Sequence, residues 1–183
     1  MKDDITLRPA HPEDADRAAI LLYSAYTHRQ VSYPLRQEGE NRFVERLEHF
    51  FRLEGNRFSY QFIQVAEQRG EVVGLVLSFG GREEARLNAA IGWPLEGESQ
   101  EDDWYADALA VFTEWGHQGI GTRLLQAAEQ QARQHGYAKI ALNVARDNVQ
   151  ALSLYQRLQY VVTGETVLYQ HPHVRLVKRL DNA

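Results

Sequence analysis

The sequence predicts a mixed α/β fold in a single domain spanning 1–183, and three observations predict it. The length of 183 residues is that of one ordinary domain. Hydrophobic residues make up 44% and charged residues 25%, a composition that can fill a core. Segments of strand and helix periodicity follow one another in the order β-α-α-β-β-β-α-β-α-β-β. Strands alternate with helices only in the second half, so a mixed sheet of about six to seven strands is expected rather than an all-parallel one. No internal repeat, low-complexity tract or linker divides the chain.

Ile5 and Leu7 alternate with Thr6 and Arg8 in a short strand closed by Pro9. His11-Pro12-Glu13-Asp14 opens a helix, because proline and acidic residues suit a first turn. Ala15, Ala18, Ala19, Leu22 and Tyr26 continue it at helical spacing. The stretch Thr27–Glu40, with Pro34 and Gly39, is expected to be irregular, and Phe43, Leu47, Phe50 and Phe51 mark a second helix. A strand through Phe62, Val65 and Glu67 turns at Gln68-Arg69-Gly70 into another from Glu71 to Phe79. The span Arg82–Asp103 is long and acidic, with a helical turn predicted around Glu83–Leu87. Tyr105–Thr113 is predicted as a strand, Gly119–His135 as a helix stopped by Gly136, Lys139–Val144 as a strand, and Asn148–Leu158 as a helix. Tyr160–Val167 and Val174–Leu180 read as two closing strands, with His171-Pro172-His173 in the turn between them.

The most informative segment runs from Leu109 to Leu125. An apolar strand passes through Gly116, Gly119 and Gly121 straight into an amphipathic helix. Glycine lets a backbone turn tightly and lets a ligand come close to the main chain. The helix start beyond it offers unpaired N–H groups and the positive end of a dipole, a natural phosphate site. A P-loop requires Lys-Ser or Lys-Thr after its last glycine, where this chain has Thr122-Arg123. A dinucleotide fingerprint requires Gly or Ala where this chain has Leu124.

Gly116-His117-Gln118-Gly119-Ile120-Gly121 resembles the pyrophosphate loop of the GNAT superfamily of N-acetyltransferases, Arg/Gln-x-x-Gly-x-Gly/Ala, with Gly116 departing from the first position. Downstream, the segment from Asn148 to Tyr160 resembles the family's Asn-x-x-Ala-x-x-Leu-Tyr-x-x-x-Gly-Phe, with Gln159-Tyr160 in place of Gly-Phe. Together the two motifs fall within about a third of the chain. The resemblance implies an acyl-CoA N-acyltransferase fold, with a mixed, mostly antiparallel central sheet flanked by helices. It implies acetyl-coenzyme A as co-substrate, held by Leu109, Val111, Gly116, His117, Gln118, Gly119, Ile120, Gly121 and Thr122. It also implies that Asn148 bonds the pantetheine arm and that Tyr155 stands beside the sulfur.

The chemistry implied is direct attack by a primary amine on the thioester in a ternary complex. An alkylammonium with a pKa of about 10.4 is nucleophilic only about once in ~10³ molecules at neutral pH, so something must take its proton. Asp107, two residues before Leu109 in the same strand, is expected to share that residue's face and to act as base. Glu83, Glu84, Glu101, Asp103 or a water chain are the alternatives. Tyr155 is expected to protonate the departing thiolate, and a strand N–H near Leu109–Val111 to stabilise the oxyanion.

The acidic run Glu96, Glu98, Glu101, Asp102, Asp103 could attract a cationic amine, or could be a solvated loop. The acceptor is expected to be a small amine or amino-acid-like molecule. A protein N-terminus or lysine is one alternative, and a non-catalytic acyl-coenzyme A sensor another. The net charge of −5 argues against a nucleic-acid partner. The absence of cysteine removes disulfides, thiolate catalysis and cysteine-held zinc, and two histidines near residue 172 are too few for a metal site, so no metal is expected. Met1-Lys2-Asp3-Asp4 lacks the apolar core of a signal peptide, and no apolar run approaches the ~20 residues of a membrane span. A cytoplasmic monomer or homodimer with no membrane contact is expected.

Overall fold

A computed structural model of the chain describes residues 5–34 and 41–180. Strand β1 (Thr6–Pro9) leads through a short 3₁₀ turn, Pro12–Asp14, into helix α1 (Ala15–Thr27). The Asp14 carboxylate accepts from the His11 N–H at 2.8 Å, satisfying a donor at the entrance. Of the expected irregular stretch, 27–34 is described; Gly39 and its neighbours 35–40 lie outside the described residues. Helix α2 (Asn41–Arg52) carries Leu47 and Phe51 on its buried face. Strands β2 (Ile63–Gln68) and β3 (Glu71–Gly80) form a hairpin, and helix α3 (Glu84–Ala89) follows. Strand β4 (Trp104–Val111), helix α4 (Ile120–Gln134), strand β5 (Lys139–Ala145), helix α5 (Val149–Arg157) and strands β6 (Val161–Leu168) and β7 (His171–Arg179) complete the chain.

The strands form one seven-stranded sheet in the order β1-β2-β3-β4-β5-β7-β6. Only β4 and β5 run parallel; the other neighbours are antiparallel. Each face of the sheet covers its own core. On one face Ala15, Ala18, Leu22 and Phe51 of α1 and α2 meet Tyr105, Ala108, Ala110 and Phe112. On the other, Ile120, Leu124, Leu125, Ala128 and Ala132, spaced to line one side of α4, meet Ala66, Val76, Ala106 and Leu142. Leu124 is wholly buried there, a burial worth about 1.5–3 kcal/mol. Glu129 shares that buried side because Lys178 Nζ donates to both its oxygens at 2.9 Å and the Tyr160 hydroxyl donates at 3.0 Å.

The closing hairpin corrects the expected turn. His171, Pro172 and His173 lie inside β7, and the turn is Tyr169-Gln170, at φ 50° and 65°. Two consecutive left-handed residues make a tight reversal that matches the strand twist, and a loop of histidine and proline is not needed. No helix among the described residues is long and apolar enough to cross a membrane.

Candidate active site

The sheet opens where β4 and β5 should be joined. They pair only at Trp104–Ile140 and Tyr105–Ala141, and beyond those residues they separate. Phe112 donates its N–H to Val73 of β3, at 3.0 Å. Amides alternate along a strand, so those of Leu109 and Val111 point the other way, into the gap. A cleft of about 930 Å³ follows the gap, with Leu109, Ala110 and Val111 on one wall and Asn148, Ala151, Leu154 and Tyr155 of α5 on the other.

At the far end of β4 the chain turns twice through left-handed backbone, at His117 (φ 59°) and Gly119 (φ 76°). Gly119 is the residue preceding α4, and the first helical bond of α4 runs from Arg123 N to Gly119 O at 3.1 Å. The amides of Ile120, Gly121 and Thr122 precede that bond and have no helical acceptor. A Cβ on Gly121 would meet only Leu109 Cδ2, at 3.9 Å, so the protein's own packing does not demand glycine there. Gly116, His117, Gly119, Ile120, Gly121 and Thr122 all line the cleft, and Gln118 does not. Arg29 and Arg157, on opposite walls, add positive charge suited to an anionic ligand.

Asn148 precedes α5 and its Oδ1 accepts from Ala151 N at 3.1 Å. That bond fixes the side chain and leaves the Nδ2 donor as the part that can serve a ligand. Tyr155 follows on the same helix and is 9% exposed on the cleft. Burial pushes its phenol up to about 12, so it keeps its proton at neutral pH.

The geometry overturns the argument that put Asp107 on the face of Leu109. Leu77 and Ser78, neighbours in β3, pair with Ala108 and Ala106, which makes Asp107 the extra residue of a β-bulge. Alternation breaks there. Leu109 and Val111 pack on the α4 face, while Asp107 and Ala108 both turn to the α1 face. The Asp107 carboxylate is 1% exposed and held bidentately by Arg57, at 2.6 and 2.8 Å, with a third bond from the Tyr26 hydroxyl at 2.5 Å. These bonds fix the carboxylate in place on the α1 face.

Arg57 is the centre that sequence reasoning missed. It is 1% exposed, and besides Asp107 it donates to Glu98 at 2.9 Å and Asn88 at 3.0 Å and pairs with Glu84 at 3.5 Å. One guanidinium therefore faces three buried carboxylates. Burial, then the charge of Asp107, raises the Glu98 carboxyl above its usual range. Burial and Asp107 likewise hold the Tyr26 phenol well above its ordinary value. Nothing local in the sequence flags Arg57, which sits in an ordinary Gly-Asn-Arg stretch; its contacts come from residues 27 to 50 positions away.

The acidic run is only partly a solvated loop. Glu101 and Asp102 are exposed, whereas Asp103 is fully buried and takes two bonds from Arg175, at 2.7 and 2.8 Å. Glu96 accepts from Tyr169 N, and the Tyr169 hydroxyl donates to Glu98 at 3.0 Å, so the closing hairpin clasps this loop. Trp115 lines the cleft, while Trp93 packs against Phe50 and Phe58 and Trp104 stacks on His135. Among the described residues no three His, Cys, Asp or Glu side chains come together as a metal group.

The unpaired edge of β4, a glycine-rich helix start and a protonated phenol thus lie together on one cleft. The sequence matches the model of the acetyltransferase (GNAT) family over residues 22–160. No curated protein sequence matches it. Among solved structures it is similar to an N-acetyltransferase from Staphylococcus aureus Mu50, at 25% identity and TM-score 0.78, over 94% of this chain and 100% of that one. The fold is also that of yncA from Salmonella typhimurium, solved with its cofactor acetyl-CoA (18% identity, TM-score 0.61, 98% and 96% covered). It is shared too by the PaiA N-acetyltransferase of Thermoplasma acidophilum in complex with coenzyme A (14% identity, TM-score 0.62, 96% and 99% covered). The chain belongs to the GNAT acetyltransferase family.

Proposed function

We propose that this protein transfers the acetyl group of acetyl-coenzyme A to a primary amine of a small molecule, by direct attack in a ternary complex. The observation that carries the reading is the gap between β4 and β5, where one cleft brings the Gly119–Thr122 helix start, Asn148 and Tyr155 to the unpaired edge of β4. A thioester lying along the cleft puts its pyrophosphate on the amides of Ile120, Gly121 and Thr122. Asn148 Nδ2 serves the pantetheine, and the amides of Leu109 and Val111 receive the oxyanion in the gap. Tyr155 gives its proton to the thiolate as the C–S bond breaks.

A small acceptor is supported by the clasp of Tyr169 on Glu96 and Glu98, which ties the closing hairpin to the loop before β4. The same reading separates an enzyme from a sensor by measurement. Acetyl-coenzyme A at about 100 times its Kd should stabilise the fold by about 2.7 kcal/mol. At about 2–4 °C per kcal/mol this raises Tm by roughly 5–10 °C. Thiol release against a panel of small amines should then be faster than hydrolysis with at least one of them. No thermal shift rejects the cofactor site; a shift without turnover on any amine leaves a sensor.

A further inference from the structure

We infer that Glu98 is the group that takes the proton from the acceptor's ammonium, with Asp107 and Arg57 as its positioning residues. This rests on the proposed amine acetylation, and it assigns to the loop before β4 the role that strand alternation gave to Asp107.

Position comes first. Glu98 Oε2 accepts from the Tyr105 hydroxyl at 2.8 Å, and Tyr105 is the last β4 residue paired with β5. Across that junction Asn143 of β5 donates Nδ2 to the Glu98 carbonyl at 3.0 Å and to the Tyr105 hydroxyl at 3.1 Å. Glu98 Oε1 and Asp107 Oδ1 share Arg57 Nη2, at 2.9 and 2.6 Å, so the carboxylate lies within one guanidinium's reach of the bulge. Glu98 thus stands beside the β4–β5 junction from which the gap opens, behind the residues that line the cleft. An acetyl group reaching through the gap arrives beside it, and an amine entering from the α1 face meets both.

Exposure and proton affinity distinguish it from Asp107. An ionised carboxylate offers about four acceptor positions. Glu98 uses three, on Arg57, Tyr105 and Tyr169, and Asp107 also uses three, two on Arg57 and one on Tyr26, but Glu98 is 9% exposed against 1% for Asp107. The groups facing it are Arg57, Asp107 and Tyr105 of β4, Glu84 of α3, Tyr26 of α1 through Asp107, and Tyr169 of the hairpin. Burial and Asp107 raise its proton affinity, while Arg57, Tyr105 and Tyr169 oppose the rise. Next to it, Asn143 Oδ1 is buried without a hydrogen-bond partner among the described residues, an acceptor suited to an incoming N–H.

The step balances as follows. Glu98 takes one ammonium proton and frees the nitrogen lone pair. The N–C bond forms, the C–S bond breaks, and the sulfur takes the Tyr155 proton. The second nitrogen proton returns to the Tyr155 oxygen through water, and Glu98 releases its proton to solvent. The products are the amide, the free thiol and one proton.

The test is a pH profile of kcat/KM with any amine that wild type accepts, alongside thermal shift with acetyl-coenzyme A. Glu98→Gln should keep the thermal shift, lose about 10²–10⁴ in kcat at neutral pH, and lose the acid limb. Asp107→Asn removes the charge that raises Glu98 and should move the limb to lower pH. Tyr169→Phe removes a donor that favours the ionised form and should move it to higher pH. A structural role would lower activity at every pH without moving the limb. A Glu98→Gln enzyme with the wild-type rate and limb overturns the assignment. If that variant does not fold, an unmoved limb in Tyr169→Phe, at the exposed hairpin tip, overturns it. Wild type that binds acetyl-coenzyme A but acetylates no amine overturns the proposed function and this assignment together, whereas active wild type with unaffected Glu98→Gln overturns this assignment alone.

Discussion

Replacing Arg57 by Met removes the cation from a cluster that then holds three carboxylates and nothing positive in the Arg57 position. The side chains involved are nearly dry: Arg57 and Asp107 are 1% exposed and Glu84 7%. Removing one partner of a buried pair costs about 3–5 kcal/mol, because the abandoned charge keeps its desolvation penalty. At about 2–4 °C per kcal/mol this lowers Tm by roughly 6–20 °C. The sign with pH follows from which state binds protons first. Burial and the charge of Asp107 already hold the Glu98 carboxyl above its ordinary value, and Arg57 opposes that rise, so removing Arg57 should raise it further. On acidification the folded variant therefore takes up protons before its unfolded chain does, and it gains stability relative to wild type. The assay is thermal denaturation of both proteins at about pH 7.5 and about pH 5, and the deficit should shrink at the lower pH. An equal deficit at both values would show that Arg57 contributes by packing its stem and not by charge, and no deficit would show that the cluster is not held together by it.

Two further outcomes concern the cofactor side. Gly121→Val should fold, because a Cβ there meets only Leu109 Cδ2 at 3.9 Å, yet it should abolish the thermal shift with acetyl-coenzyme A; a folded variant with the full shift would make the turn a mere connector. Tyr155→Phe should bind acetyl-coenzyme A normally while kcat falls by about 10²–10⁴. With its phenol at about 12, Tyr155 should add no alkaline limb to the wild-type profile near neutrality, and an unchanged kcat in the variant would reduce Tyr155 to a packing residue.

What could be read from the sequence was whatever repeats or lies close together. The periodic runs gave α4 its buried face and β3 its strand, and the bounds differ by a residue or two where a turn begins. The Gly116–Gly121 turn and the Asn148–Tyr155 helix are each contained in one short window, and the fold brings both to one cleft. The charged cluster around Arg57 was not legible, for a different physical reason. The bulge at Asp107 inverts the face of a residue without leaving any mark in the alternation of its neighbours. Arg57, Glu84, Glu98 and Asp107 come from four separate segments, and only the three-dimensional fold makes them one group. Likewise, His171-Pro172-His173 looks like a turn because proline usually ends strands. Here it lies in β7 beside the edge strand β6, with the reversal made by Tyr169 and Gln170 instead.

The two-residue pairing of β4 with β5 also has a mechanical meaning. Mechanically the sheet is two rafts, β1 to β4 and β5 to β6, joined at one end. Cross-ties at that end run from Tyr105 to Asn143 and from Asp103 to Arg175 and Lys139. At the other end no β4–β5 ladder joins the rafts among the described residues. A pantetheine arm bonded to the free edge of β4 would serve as the missing rungs, and a ligand held that way would also be a structural member of the sheet. Amides at Leu109 and Val111 would then exchange with solvent quickly in the free protein and slowly in the loaded one, and each catalytic cycle would stiffen and loosen the molecule along this single seam.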